Sequence, residues 1–106
     1  RRLFTKKIIT SLPDVIITSN DLIAQGIISA AHENGINIPN DMQITGFDDL
    51  LSSAYFIPSV TTVSQNIDEL AKRCFSMLMD LINKKSSVSS IIEQNIIARN
   101  SAKINI

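Results

Sequence analysis

Residues 43–65 read QITGFDDLLSSAYFIPSVTTVSQ, and the fold turns on them. Gln43, Ile44, Thr45, Gly46 and Phe47 read as a short buried strand that delivers two adjacent carboxylates, Asp48 and Asp49, at its C-terminal end. In an open parallel sheet, small molecules bind in the crevice outside the carboxyl ends of the strands. Loops there are free to carry polar groups while the strands hold them rigid. A carboxylate in that place faces a ligand more often than a core, so the question for the rest of the chain is what shares the crevice.

Upstream, Val15, Ile16, Ile17 and Thr18 form a β-branched run that fits a fully buried parallel strand. Ser19, Asn20 and Asp21 follow as a helix-start cluster, for which capping is the plainest role. The spacing predicts a helix over residues 21–33 that is apolar nearly all round, with only Gln25 and Ser29 as polar positions in its middle. Such a helix must be covered on two sides, by the sheet and by a further helix or a second subunit. Asn34 and Gly35 suit its C-terminus, and residues 36–41 make the return loop with Pro39. Strand, helix, loop, strand is a βαβ unit with parallel strands and a right-handed crossover, which sets Asn20 near Asp48.

Downstream, residues 50–58 are a connection carrying Tyr55 and Phe56, either a core plug or an interface. Val60 to Ser64 read as a short extended segment. Asn66, three residues before Glu69, approaches a capping box and opens a one-sided surface helix whose apolar stripe runs from Ile67 to Ile82. After a serine-rich loop, residues 91–98 form a last strand, and residues 1–10 suit the end of an amphipathic helix.

Composition narrows the function. The 106 residues are 44% hydrophobic, enough for one modest core. Ten basic residues balance ten acidic ones, so the chain lacks the electrostatic footprint that nucleic-acid binding needs. Its one cysteine, Cys74, favours a reducing compartment, and a cytoplasmic location is expected. No apolar run approaches the roughly 20 residues of a membrane span, and residues 1–12 lack the apolar stretch of a signal peptide.

Enzymatic chemistry finds little support in the residues. Asp48 and Asp49 could contribute to a Mg²⁺ site, but a pair alone does not make one. His32 sits at a helix end with no activated serine or cysteine beside it in the pattern, and Gly26, Gly35 and Gly46 are too far apart for a phosphate loop. Met77 and Met79 flank an apolar stripe as packing residues. A binding module without metal or cofactor is the expectation.

Several segments taken together are specific. From Pro13 to Arg73 the chain resembles the C-terminal part of the effector-binding core of the lactose/galactose repressor family of bacterial transcription regulators. The matching residues are Asn20 and Asp21 ahead of the helix, Gly35 and Pro39 in the return loop, Gly46, Phe47 and Asp48, then Pro58, Thr61, Thr62 and Gln65. The ending is also similar to the family's last strand, with Arg99 as its arginine.

The resemblance implies an α/β fold, a parallel sheet flanked by helices, forming part of a two-lobed architecture like that of periplasmic sugar-binding proteins. A small effector, usually a sugar or sugar derivative, would lie between the lobes. Asn20, Asp48 and Gln65 would contact it, and residues 64–66 would lie near a crossing between lobes. Ile67 stands where some sugar-binding members carry an aromatic. The resemblance further implies a homodimer, with Gln25, Ile28 and Phe56 expected near the two-fold axis. Operator DNA would be bound only through an N-terminal domain that this chain lacks. A secreted solute-binding protein of a transport system is the competing member of the same fold.

Overall fold

The computed structural model describes residues 11–103. The helical pattern expected over residues 1–10 lies outside the described residues. In chain order the elements are β1 (Val15–Ile17), α1 (Asp21–Glu33), β2 (Gln43–Thr45), α2 (Leu51–Tyr55), β3 (Thr62–Ser64), α3 (Ile67–Ile82) and β4 (Asn95–Ile97).

The βαβ unit is present. β1 and β2 pair in parallel, with Ile16 opposite Ile44 and Ile17 opposite Thr45. Helix α1 begins where predicted: Asn20 is extended, and its side-chain oxygen accepts from the Ile23 amide at 2.9 Å, satisfying one of the first-turn N–H groups. The helix ends at Asn34, and Gly35 then takes a positive φ of 72° that a side chain would resist.

Beyond β2 the sheet continues. Thr45 bridges Thr61 in parallel, and β3 then pairs antiparallel with β4. Ser101, fully buried, sews the C-terminal segment onto this layer. Its amide donates to Ser59 O at 2.9 Å, its hydroxyl donates to Ile44 O at 2.6 Å and accepts from the Thr61 amide at 2.8 Å. The connection after β2 is not plain loop, since residues 51–55 make the short helix α2.

Ala24, Ile27, Ile28, Ala31, Met42, Ile44 and Val60 form the core, with Ile16, Ile36, Ile38 and Phe56 packed against it. Helix α1 therefore buries one stripe, and Leu22 and Ile23 on its other side remain exposed. The expectation of a fully buried β1 is corrected: Ile17 is 80% exposed. Alternate residues of a strand face opposite sides of the sheet, and among the described residues only the Ile16 face of β1 meets a packed layer. Helix α3 follows its predicted bounds but buries none of its residues, and Ile67, Phe75, Leu78, Leu81 and Ile82 form an uncovered apolar stripe. The capping box at its start does not form. Asn66 has a left-handed φ of 51° and no side-chain cap bond, because a capping residue must be extended. Glu69 instead accepts from Arg73 Nε at 2.8 Å, and that bond holds its carboxyl below the usual range.

One buried carboxylate joins these parts. Asp21 has no exposed surface, and its oxygens accept from the Leu50 amide at 2.8 Å, Ser53 Oγ at 2.6 Å and Thr62 Oγ1 at 2.5 Å. Its amide donates to Phe47 O at 2.9 Å. Gly46 passes so close that a Cβ would collide with Asp21 Oδ1. Replacing Asp21 by alanine strands those donors in the interior at about 1–3 kcal/mol each. Asp21→Ala is therefore expected to destabilise the intact protein by at least about 3 kcal/mol, read as a lowered denaturant midpoint; an unchanged midpoint would contradict this role.

Candidate functional site

The carboxyl ends of β1 and β2 lie side by side, joined by the bond from the Asp21 amide to Phe47 O. Asn20 and Asp48 flank that bond, as the βαβ reading requires. Past β2 the backbone enters an uncommon conformation, with φ of 105° at Asp48 and 53° at Asp49. Aspartate tolerates the second value better than most residues, whereas the first lies outside the left-handed helical region. Conformations of this kind cost on the order of 1–3 kcal/mol each and persist where surrounding bonds fix them, often at binding sites.

Here the fixing bonds are visible. The Asp48 amide donates to Val63 O at 3.0 Å, the Asp49 amide to Thr62 Oγ1 at 3.3 Å, and the Leu50 amide to the buried Asp21 carboxylate. The turn is thus pinned to β3 and to the start of α1, and its two carboxylates point to different partners. Asp48 Oδ1 accepts from Gln65 Nε2 at 2.6 Å. Asp49 Oδ1 takes Arg99 Nη2 at 2.6 Å in a largely buried ion pair.

The structure therefore brings Asp48 and Gln65 into contact, although 17 residues separate them. Asn20 lies at the same strand ends, with its side-chain oxygen engaged in capping α1. Asp48 and Asp49 have different side-chain partners, Gln65 and Arg99, and among the described residues there is no group of three or more His, Cys, Asp or Glu placed to hold an ion. Asp21, Thr62 and Arg99 complete the support of the turn. Sequence reasoning placed Asp21 only as a cap, and the signal that could have shown more was Gly46 beside a short polar residue at a strand end.

Of the residues expected at a subunit axis, Ile28 is 2% exposed and packed inside the core, and Phe56 is half-buried against that core. In a helix apolar on every side, sequence does not say which stripe meets the sheet. Gln25 is half-buried, and its amide donates to Ser52 Oγ at 2.9 Å and Ser53 Oγ at 3.1 Å, which docks α2 on α1. The large apolar residues exposed on the two helices are Leu22, Ile23, Leu51 and Tyr55, with Ile57 just beyond.

A family model described as a periplasmic binding protein-like domain matches residues 1–102. The chain belongs to the periplasmic binding protein-like domain family. Within that family it is similar to transcriptional regulators of the lactose-repressor type. It is 35% identical over 95 residues to the HTH-type transcriptional repressor PurR of Pasteurella multocida, covering 88% of this chain and 28% of that repressor. A LacI-type transcription regulator from Bifidobacterium animalis superposes with a TM-score of 0.82 at 29% identity, over 94% of this chain and 37% of the regulator. A periplasmic binding protein/LacI transcriptional regulator from Alkaliphilus metalliredigens, complexed with D-xylulofuranose, gives 0.83 at 31% identity, over 93% and 37%. The chain thus spans well under half the length of these relatives. These relatives are transcriptional regulators.

Proposed function

We propose that this chain is the effector-sensing and dimerising portion of a bacterial transcriptional repressor, binding a small sugar-like effector between two lobes to control DNA binding. The observation that carries the reading is the Asp48 carboxylate, displayed at a strand end by a φ of 105° and bonded to the Gln65 amide. A carboxylate accepts hydrogen bonds from vicinal hydroxyls, and the amides of Gln65 and Asn20 both donate and accept, so the trio suits a neutral polyol better than an anion. The D-xylulofuranose held by the Alkaliphilus relative supports a sugar-like ligand.

A formal charge of zero provides no counterion-release term for DNA. Operator binding belongs to an N-terminal domain outside this chain, and a DNA-bound repressor works in the cytoplasm. No helix of the described residues is long and apolar enough to cross a membrane. A solute-binding protein of a transport system would use the same rim; an upstream helix-turn-helix or an upstream secretory leader separates the two. Homodimerisation uses the face formed by α1 and α2, where Leu51 and Tyr55 are each 79% exposed beside Gln25.

A hydrogen bond to a charged group contributes about 1.5–3 kcal/mol, so Asp48→Ala weakens effector binding roughly ten- to over a hundredfold. Calorimetry on the intact protein, screened against D-xylulose and other simple sugars, measures it; wild-type affinity in a well-folded variant sinks the assignment. Because effector must favour one lobe arrangement to act, the same change leaves repression intact and abolishes induction, or the converse for a corepressor. For the subunit face, Tyr55→Asp is expected to shift the intact protein from dimer toward monomer in sedimentation at micromolar concentration. A wild-type monomer there, or a dimer unmoved by the substitution, contradicts the assignment.

A further inference from the structure

The turn at Asp48 and Asp49 sets two like charges on neighbouring residues, and Asp48 accepts from the side-chain amide of Gln65. Only one carboxylate holds that amide, and backbone bonds do not decide which. The amides of Asp48, Asp49 and Leu50 fix the path of the chain, not the direction of the two side chains. What turns the Asp49 carboxylate away is Arg99. Its guanidinium is fixed at both prongs, Nη1 donating to Val60 O at 2.9 Å and Nη2 to Asp49 Oδ1 at 2.6 Å. Its backbone is fixed as well, because the Arg99 amide donates to Thr61 Oγ1 at 2.9 Å and Thr61 Oγ1 in turn donates to Arg99 O at 3.0 Å. The pair is mostly withdrawn from solvent, with side chains 18% and 25% exposed, so screening weakens it little. A planar fork that meets a carbonyl and a carboxylate at once is something only arginine among the cationic side chains supplies.

We propose that Arg99 is a positioning residue for the rim: by sequestering Asp49 it leaves Asp48 as the one carboxylate bonded to Gln65 and presented to effector. This deepens the reading of Asp48 as an effector contact, and it rests on that reading only for its consequence in binding. With Arg99 gone, Asp49 competes for the Gln65 amide and repels Asp48 from its place. With Asp49 also gone, no competitor remains and the Asp48 to Gln65 bond returns.

The test uses the intact protein with glutamine side-chain ¹⁵N labelling, in which Gln65→Ala identifies the Gln65 Nε2 resonance and Asp48→Ala gives its position without the bond. Arg99→Gln is expected to move the resonance toward the Asp48→Ala position, whereas Asp49→Ala and the Asp49→Ala/Arg99→Gln double variant keep it near wild type. Arg99→Lys, which keeps the charge but cannot span both acceptors, moves it the same way by less. A resonance unmoved in whichever Arg99 variant folds, or moved as far in the double variant as in Arg99→Gln, overturns the proposal, the second result marking Arg99 as structural support alone. D-xylulose titrations of the same proteins keep the two readings apart. Undiminished binding by Asp48→Ala counts against the effector assignment while the resonance pattern still decides the role of Arg99.

Discussion

A single buried charge organises this molecule. Placing the Asp21 carboxylate out of water carries a large desolvation cost, which is offset only when its lone pairs are met by donors in good geometry. The donors come from the start of α2 and from β3, while Asp21 itself begins α1, where a negative charge also suits the helix dipole. Three elements therefore share one anchor, and β2 is drawn against it by the bare backbone of Gly46. The apolar core beneath, built on Ile28, Ile44 and Val60, is too small to fix the directions of so many short elements alone.

From that anchor the candidate site follows with little further freedom. Thr62 donates to Asp21 and accepts from the Asp49 amide, so the buried charge reaches the strained turn through one hydroxyl. The turn lifts Asp48 to the rim, where Gln65 meets it at the end of β3. On the other side of Asp21, Ser53 also accepts from Gln25, so the same anchor seats α2 against α1 and shapes the outer face of these two helices. Rim and face are thus built on opposite ends of one polar network.

Much of this was legible in the residues. The βαβ unit, the strand-end placement of Asn20 and Asp48 and the bounds of α3 follow from periodicity and turn chemistry, which are local. Family resemblance named Asp48 and Gln65 only as residues of one site; the bond between them, across 17 residues, is seen in the structure alone. What escaped depends on partners distant in sequence. Asp21 reads as a cap because its hydrogen-bond partners lie 29, 32 and 41 residues away. Ile28 and Leu22 are alike in type on an all-apolar helix, and only the packed sheet sorts one inward and the other outward. Val15 and Ile17 have the composition of a buried strand but meet no layer on their side among the described residues. Asn66 has the right spacing to cap α3 and the wrong backbone for it, since the chain leaves β3 through a left-handed turn.

The central claim is that the pair formed by Asp48 and Gln65 receives a neutral polyhydroxylated effector at the strand ends. It is tested most directly by a crystal structure of the intact protein grown with a sugar that it has been found to bind. The account predicts ligand hydroxyls within hydrogen-bonding distance, about 3 Å, of the Asp48 carboxylate and the Gln65 amide, with the Asp49 to Arg99 pair unbroken. A sugar bound elsewhere, or one that leaves Asp48 without a ligand hydroxyl in reach, would contradict it.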